Sequence, residues 1–278
     1  MLFAGIDGGQ STTTAAIGDG TRVLARGRGG PADEVGAGPD STRLRDALEG
    51  ALADALARAG LPLDARFEAI VAGISGYEGR VYGAQPRLPA ARFVLMHDAP
   101  IAHAGALYGR AGVVVIAGTG SVAYTVARDG RTKTTGGWGY LFGDEGSAFW
   151  IARAFVSQAI GDESRAAPAL RFFGVSNLRE LVRALYSGAI TRDRFASFAP
   201  VALTEGEVAE AAARELAALA AHAVLERPCA IAFTGGLMRD SQFARRVGEA
   251  TRERLPDCTL VEPAADPAEG ALILATRT

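Results

Sequence analysis

The chain has 278 residues, of which 49% are hydrophobic and 22% are charged, and its formal net charge at pH 7 is −2. This length allows about two domains of ordinary globular composition. Because acidic and basic residues are interspersed, the composition argues against a nucleic-acid partner, and no apolar run approaches the ~20 residues of a membrane-spanning helix. The chain enters an apolar strand at once, without the basic and apolar regions of a signal peptide, so we expect a cytoplasmic protein with no membrane partner.

The lysine and cysteine residues exclude further classes of protein. Lys133 is the only lysine among the 29 basic residues, and it lies between two threonines. The lysine of a Walker loop directly follows a glycine in the motif Gly-x-x-x-x-Gly-Lys-[Ser/Thr], so a P-loop enzyme is excluded. A protein kinase or a pyridoxal-phosphate enzyme is disfavoured. Cys229 and Cys258 form no CxxC motif, so reduced thiols are expected. The histidines lack metal-ligand spacing and are expected to be packing or surface residues: His97, His103 and His222.

The first half of the chain alternates strand and helix patterns. The predicted order is strand 2–6, a glycine turn, strand 12–17, a helix, strand 67–74, strand 92–96 and a second helix. Asp40 or Ser41 can cap the first helix, which Gly60 would close. Asp98 is predicted to cap the second helix.

The second half begins near residue 113 and follows the same plan. The predicted order is strand 113–117, a glycine turn, strand 122–127, a glycine-rich stretch 136–146, helix 147–160, alanine-rich helices across 163–225, strand 230–233, helix 241–254, strand 259–261 and a closing helix from 267. Strands that alternate with helices indicate mixed α/β domains. No low-complexity linker separates the halves, so we predict a first domain of residues 1–111 and a second of 112–266.

Two turns rich in glycine and hydroxyl residues follow predicted strands about one domain length apart. The first glycine turn is Asp7-Gly8-Gly9-Gln10-Ser11-Thr12-Thr13, and the second glycine turn is Gly118-Thr119-Gly120-Ser121. After each, the chain resumes a strand and reaches an Asp-Gly pair, which is a strong hairpin signal. Successive N–H groups in glycine turns bind anions, and nearby hydroxyls donate further hydrogen bonds. Two such turns facing each other across a cleft could hold a polyphosphate, so the duplication predicts a nucleotide-dependent phosphotransferase.

These motifs resemble those of a known superfamily. The two glycine turns and Thr234-Gly235-Gly236 are similar to the first phosphate, second phosphate and adenosine motifs of the sugar kinase/Hsp70/actin superfamily. The segment 136–147 (GGWGYLFGDEGS), below called the glycine-rich segment, closely resembles the signature of the N-acetylglucosamine kinase branch of the BadF/BadG/BcrA/BcrD ATPase family. The resemblance implies duplicated ribonuclease-H-like α/β domains of the actin and hexokinase type, an interdomain nucleotide cleft, and a closing helix 267–278 that packs against the first domain.

The resemblance also implies roles for individual residues. Asp98 would be the catalytic base, and a helix N-terminus favours its ionised form; helix capping alone is the alternative. Asp7 would hold Mg²⁺ through water. A Rossmann fingerprint at Gly118 is rejected, because it must open a helix and the residues that follow alternate as in a strand. The implied ATP-binding residues are Gly8, Gly9, Gln10, Ser11, Thr12, Gly118, Thr119, Gly120, Gly235 and Gly236.

A sugar site follows from the same resemblance. Its implied residues are Asp33, Ser75, Gly76, Asp98, Ser121, Gly137, Trp138, Gly139 and Asp144. Trp138 could instead be a buried aromatic residue, and Asp144 could instead close the glycine-rich turn. Asp33 stands where the family usually presents an asparagine. Because an ionised aspartate only accepts hydrogen bonds, Asp33 would suit a free amino sugar better than an N-acetyl sugar, unless it is a solvated loop residue.

The sequence therefore predicts a Mg²⁺- and ATP-dependent kinase for the 6-hydroxyl of a small-molecule amino sugar, N-acetylglucosamine or glucosamine. Whether the chain forms a homodimer is left open. One alternative is an ATPase that activates an iron–sulfur reductase or dehydratase, but Cys229 and Cys258 fall outside the regions that hold the cluster in those relatives. The other is a non-catalytic sugar-binding regulator, which the presence of Asp7 and Asp98 disfavours.

Overall fold

The structure is a computed structural model that describes residues 1–32 and 38–278. Within these residues the chain divides into two compact units: unit 1, Met1–Ala111 with Glu262–Thr278, and unit 2, Gly112–Val261. Asp33, a predicted sugar contact, lies outside the described residues. No helix in the described part of the chain is both long and apolar enough to cross a membrane.

Unit 1 is built on a five-stranded mixed sheet. Its elements are β1 (Phe3–Gly8), β2 (Thr13–Gly18), β3 (Val23–Gly29), α1 (Arg43–Ala59), β4 (Phe67–Ile74), β5 (Ala90–His97), α2 (Asp98–Leu107) and, from the end of the chain, α10 (Pro267–Ala275). The strand order is β3-β2-β1-β4-β5. β1 is antiparallel to β2 but parallel to β4, and β4 is parallel to β5. The carboxyl ends of β1, β4 and β5 therefore meet at one edge of the sheet.

Helices cover both faces of this sheet. Successive strand residues point to opposite faces, so Ile6 and Ile17 pack in the core beneath α1, whereas Phe3 and Ala16 pack beneath α10. α1 packs on the sheet through a stripe of buried leucines one turn apart, which consists of Leu44, Leu48, Leu52 and Leu56.

The structure corrects two details of the sequence prediction in unit 1. α1 begins after Thr42 rather than after Asp40 or Ser41, and no side chain caps it. β3 was not predicted at all. It is an edge strand whose exposed Arg26 and Arg28 interrupt any apolar pattern, so its formation depends on pairing with β2.

Unit 2 contains a second five-stranded sheet and most of the helices. Its elements are β6 (Gly112–Ala117), β7 (Ser121–Val126), β8 (Thr132–Gly136), α3 (Ala148–Gly161), α4 (Ala167–Phe173), α5 (Leu178–Tyr186), α6 (Arg192–Ala196), α7 (Ala199–Ala202), α8 (Gly206–Ala223), β9 (Ala230–Thr234), α9 (Ser241–Arg254) and β10 (Thr259–Leu260). The strand order is β10-β9-β6-β7-β8. β6 is antiparallel to β7 and parallel to β9, as β1 is to β2 and β4.

The two sheets have the same topology. In each, the first three strands in sequence form an antiparallel meander, and the fourth and fifth strands are added in parallel to the first. The prediction of a duplicated ribonuclease-H-like α/β fold is confirmed. The residues after Gly118 form β7 rather than a helix, which removes the Rossmann alternative.

Candidate functional site

Three predicted site regions of unit 1 lie together at the carboxyl edge of its sheet. In the strand register Gly8 is opposite Ile74, and Ile74 is opposite His97. The residues that follow these strands, the first glycine turn, Ser75-Gly76 and Asp98, are therefore neighbours although they are distant in sequence. The Ser75 N–H donates to the Gly8 carbonyl at 2.9 Å, which ties the first two together.

The first glycine turn is closed by its own backbone. The Gly9 N–H donates to the Thr12 carbonyl at 3.0 Å, and the Gly9 carbonyl accepts from Ala32 N–H at 3.0 Å. Ser11 and Thr12 are exposed at the tip, so their hydroxyls are accessible to a ligand. The turn thus has the hydroxyl donors and rigid shape that anion binding requires.

Asp7, at the end of β1, lies near two other carboxylates. Burial, followed by the charges of Asp98 and Asp266, raises the pKa of Asp7 from 3.8 to about 7. Among the described residues, no positive charge offsets this rise. A magnesium ion with its water shell would supply that charge, so the residues present fit the implied metal.

Asp98 is the first residue of α2 and follows β5 directly. The structure corrects its predicted capping role, because His97 occupies the N-cap position and its Nδ1 accepts from Ala99 N–H at 3.1 Å. The same Nδ1 is 2.8 Å from Asp98 Oδ1. One nitrogen cannot serve both partners in the same protonation state, since it accepts when bare and donates when protonated. The hydrogen bond with Asp98 raises the pKa of His97. The Asp98 carboxylate is thus free of the backbone and sits beside a titratable imidazole.

The second glycine turn is held by the start of α3 and by the adenosine motif. The carbonyls of Gly118 and Thr119 accept from the N–H groups of Ala148 and Phe149 at 2.9 and 3.3 Å. Gly235 has a positive φ of 106°, and a Cβ there would come within 2.3 Å of the Ala117 carbonyl oxygen. Only glycine permits this approach, which brings the predicted adenosine residues Gly235 and Gly236 next to the second glycine turn.

Asp144 joins the second glycine turn to the glycine-rich segment. Its side chain is buried and accepts from Ser121 N–H at 3.3 Å, and its own φ is +61°. A Cβ on Gly120 would lie 2.6 Å from Asp144 Oδ2, so residue 120 must be glycine for Asp144 to reach this place. Burial raises the pKa of Asp144, while the Ser121 N–H and Arg192 oppose that rise. In this structure Asp144 closes the turn.

Arg192 completes this arrangement and was missed by the sequence analysis. Its Nη2 donates to Asp144 Oδ2 at 3.0 Å, and its guanidinium lies 5.1 Å from the ring centroid of Tyr140 in the glycine-rich segment. Its Nε is buried without a hydrogen-bond partner. No local motif marks Arg192, which lies at the start of α6, 48 residues from Asp144.

The rest of the glycine-rich segment is open to solvent. Trp138 is 77% exposed, which excludes the alternative of a buried aromatic residue. Gly137 and Gly139 both have positive φ, so the backbone turns sharply on each side of the indole. A cavity of about 280 Å³ beside this segment is lined by Ser121, Gly136, Asp144, Glu145, Glu215, Ala218, Leu219 and His222. Its acidic and imidazole groups could bind hydroxyl or amino groups.

Comparisons with known proteins agree with these motifs. Over 206 residues the chain is 27% identical to the N-acetylmuramic acid/N-acetylglucosamine kinase of Clostridium acetobutylicum, an alignment that covers 66% of this chain and 67% of that one. A crystal structure from Chromobacterium violaceum, provisionally described as an N-acetylglucosamine kinase, is 26% identical with a TM-score of 0.80, over 99% of this chain and 98% of that chain. These similarities support the prediction of a sugar kinase.

A more distant structure shares only the fold. The ROK family glucokinase of Streptomyces griseus, determined with glucose and AMPPNP, has a TM-score of 0.60 at 19% identity, with 100% of both chains covered. The sequence profile of the BadF/BadG/BcrA/BcrD ATPase family matches residues 4–275, almost the whole chain. The chain belongs to the BadF/BadG/BcrA/BcrD ATPase family.

Proposed function

We propose that this protein is a Mg²⁺- and ATP-dependent kinase that phosphorylates the 6-hydroxyl of an amino sugar, N-acetylglucosamine or glucosamine. The observation that carries the proposal is the convergence of Asp7, Ser75 and Asp98 at one edge of the unit 1 sheet. A phosphate turn, a polar sugar contact and a candidate base are the parts that phosphoryl transfer to a hydroxyl requires. The similarity to N-acetylglucosamine kinases supports the choice of sugar.

In the proposed reaction Asp98 orients the attacking hydroxyl and accepts its proton late, because the transition state of phosphoryl transfer is loose. Its place at the start of α2 puts it beside the positive end of the helix dipole. The imidazole of His97, 2.8 Å away, fixes the orientation of the carboxylate. Sugar hydroxyls would contact Ser75 and Gly76 beside it.

The nucleotide would be held by backbone N–H groups and hydroxyls rather than by lysine. In unit 1 these are Gly8, Gly9, Gln10, Ser11 and Thr12, and in unit 2 they are Gly118, Thr119 and Gly120, with adenosine against Gly235 and Gly236. Magnesium bound near Asp7 would neutralise phosphate charge when present. In unit 2, Ser121, Gly137, Trp138, Gly139 and Asp144 would supply further sugar contacts.

The activating ATPase and the regulator are not favoured over a kinase. The relatives that match at 26–27% identity are described as sugar kinases, and Asp7 and Asp98 are both in place. A kinase must release ADP only when a sugar accepts the phosphate, whereas an activating ATPase hydrolyses ATP without one.

A coupled ADP-release assay tests the proposal. Glucose, glucosamine, N-acetylglucosamine, N-acetylmannosamine and N-acetylmuramic acid should be compared, with a sugar-free reaction as the control. We expect ADP release with an amino sugar and little without one. 6-Deoxy-N-acetylglucosamine should bind but not react, and turnover of that analogue would exclude the 6-hydroxyl as acceptor.

A further inference from the structure

Cys229 and Cys258 lie side by side in unit 2 although they are 29 residues apart, with their Sγ atoms separated by 3.1 Å. Each cysteine immediately precedes a strand, Cys229 before β9 and Cys258 before β10. Their spacing in sequence predicted only that both are reduced thiols. The structure leaves both free but places them in direct contact.

The backbone around the two cysteines is already arranged for a disulfide. Thr259 pairs with Ala230 in the parallel register, and the Thr259 N–H donates to the Cys229 carbonyl at 2.9 Å. The cysteines are therefore the pair of neighbours that precedes Ala230 and Thr259. Neighbouring strands lie about 4.8 Å apart, and disulfides span Cα separations of about 4.4–6.8 Å. The strand spacing lies within this range, and the two Sγ atoms, now 3.1 Å apart, would have to approach by about 1 Å to bond.

We propose that Cys229 and Cys258 are a modification site at which a peroxide forms a reversible disulfide. Both side chains are only partly buried, so a small oxidant can reach them. The proposal concerns unit 2 alone and does not depend on the proposed kinase function.

The reaction begins at one of the two thiols, as its thiolate. The thiolate sulfur attacks a peroxide oxygen, the O–O bond breaks, and the products are a cysteine sulfenic acid and an alcohol or water.

The second step closes the bond. The neighbouring cysteine, once it loses its proton, attacks the sulfenic sulfur, the S–O bond breaks, and the departing hydroxide takes up that proton and leaves as water. Overall, two thiols are oxidised and one peroxide is reduced, which yields one disulfide with water and a second molecule of water or alcohol. A dithiol reductant reverses the change.

The disulfide would close a covalent ring that contains the predicted adenosine motif. The ring runs from Cys229 through β9, the adenosine motif at Gly235 and α9 to Cys258. β10 is only two residues long and pairs with β9 alone at the edge of the sheet. A crosslink at its start would hold that edge, and closing a loop of this size restricts the unfolded chain.

Alkylation of the full-length protein tests for the bond. Reduced protein should be treated with hydrogen peroxide, quenched, denatured and labelled with N-ethylmaleimide before intact-mass and peptide analysis. We expect two labels in untreated protein and none after oxidation, with a peptide that joins Cys229 to Cys258 and disappears with dithiothreitol. Two labels after oxidation, or crosslinks only between chains, would overturn the proposal.

The single-cysteine variants test whether the reaction needs both thiols. After peroxide treatment, dimedone should trap a sulfenic acid at the remaining cysteine of Cys229→Ser and of Cys258→Ser, whereas the wild type should give little adduct because its second thiol consumes the sulfenic acid. Equal trapping in the wild type and the variants would contradict closure of the disulfide. Thermal melts supply a second measurement: oxidation should raise the melting temperature of the wild type by several degrees and leave both variants unchanged. A disulfide without such a rise would overturn its role in holding the strands together.

Discussion

Arg192 and Asp144 form an ion pair, 3.0 Å between Nη2 and Oδ2, that connects α6 to the glycine-rich segment. The carboxylate side chain is only 5% exposed, and the guanidinium is 25% exposed. Removing one partner of a buried pair leaves an uncompensated charge, which costs more than the pair itself contributes. Asp144 also accepts from Ser121 N–H, so the pair is connected to the second glycine turn.

Arg192→Gln should destabilise the protein by about 1–3 kcal/mol, since Asp144 is left buried without its cation. Arg192→Lys should recover part of this loss, because it restores the charge but not the contact with Tyr140. The double variant Arg192→Gln/Asp144→Asn should be more stable than the sum of the single effects predicts. Chemical denaturation of the wild type, Arg192→Gln, Arg192→Lys, Asp144→Asn and the double variant measures these effects, and strict additivity would show that the pair contributes nothing.

The same substitution tests whether the pair matters for activity. Without Arg192 the pKa of Asp144 should rise further, so the acid limb of the kcat/KM profile should move to higher pH, if ionised Asp144 contacts the sugar. Arg194→Gln is the matched control. Arg194 lies on the same helix as Arg192, but its side chain donates a hydrogen bond to the Phe172 carbonyl. An identical pH profile for both variants would assign Arg192 a purely structural role.

Asp98→Asn should lower kcat by about 10²–10⁴ while ATP binding is retained, as expected for loss of a general base. The substitution is a clean test because His97, not Asp98, caps α2. Asp64→Asn, an exposed position in the same unit, serves as the control. Near-normal turnover of Asp98→Asn in the ADP-release assay would exclude Asp98 as the base.

The acidic site around Asp7 should make stability depend on pH. The unfolded chain ionises Asp7 near pH 3.8 and the folded protein only near pH 7. The folded state therefore loses stability as the pH rises between these values, and Asp7→Asn should remove this loss. The pKa difference corresponds to at most about 4 kcal/mol, with the true value reduced by partial solvent contact.

Denaturation of the ligand-free protein at pH 5 and pH 8 measures this effect. We expect the stability advantage of Asp7→Asn over the wild type to be clearly larger at pH 8 than at pH 5, where only part of the loss has developed. Asp64→Asn should follow the wild type at both. A constant difference between Asp7→Asn and the wild type at all pH values would contradict a raised pKa.

Asp33 provides a test of substrate choice. If it faces the sugar, Asp33→Asn should shift the ratio of kcat/KM values toward N-acetylglucosamine over glucosamine by about 1–2 kcal/mol. A carboxylate would form an ion pair with the ammonium group of glucosamine. An asparagine can also donate a hydrogen bond to the acetyl oxygen of N-acetylglucosamine. Glu34→Gln is the neighbouring control. An unchanged ratio would indicate that Asp33 faces solvent and would favour N-acetylglucosamine as the substrate.

Elements with strong local signals could be predicted from the sequence. β4 (Phe67–Ile74) is a continuous apolar run, and α9 (Ser241–Arg254) begins beside a capping aspartate, so both boundaries were correct. β3 and β8 could not be predicted, because their exposed residues carry little apolar pattern and pairing with a neighbouring strand creates them. The strand pattern after Gly118 was sufficient to distinguish a hairpin from a nucleotide-binding helix.

Contacts between distant residues limited the prediction of the site. Asp98 looked like a helix cap because aspartate favours that position, but the imidazole of His97 takes the Ala99 N–H instead. Arg192 could not be connected with Asp144, since the contact depends on where α6 packs. The contact between Cys229 and Cys258 depends similarly on the register of β9 and β10.

The position of α10 has a consequence for how the chain matures during synthesis. β1 leaves the ribosome long before α10, yet a Cβ on Gly5 of β1 would lie only 2.0 Å from the Leu272 backbone nitrogen of α10. The core of unit 1 on that face cannot close until α10 has been made. Unit 2 is continuous in sequence and has no such requirement. Of the two units, unit 1 is therefore completed later, and a nascent chain that stalls before Pro267 would expose the apolar face of β1 to chaperones and proteases.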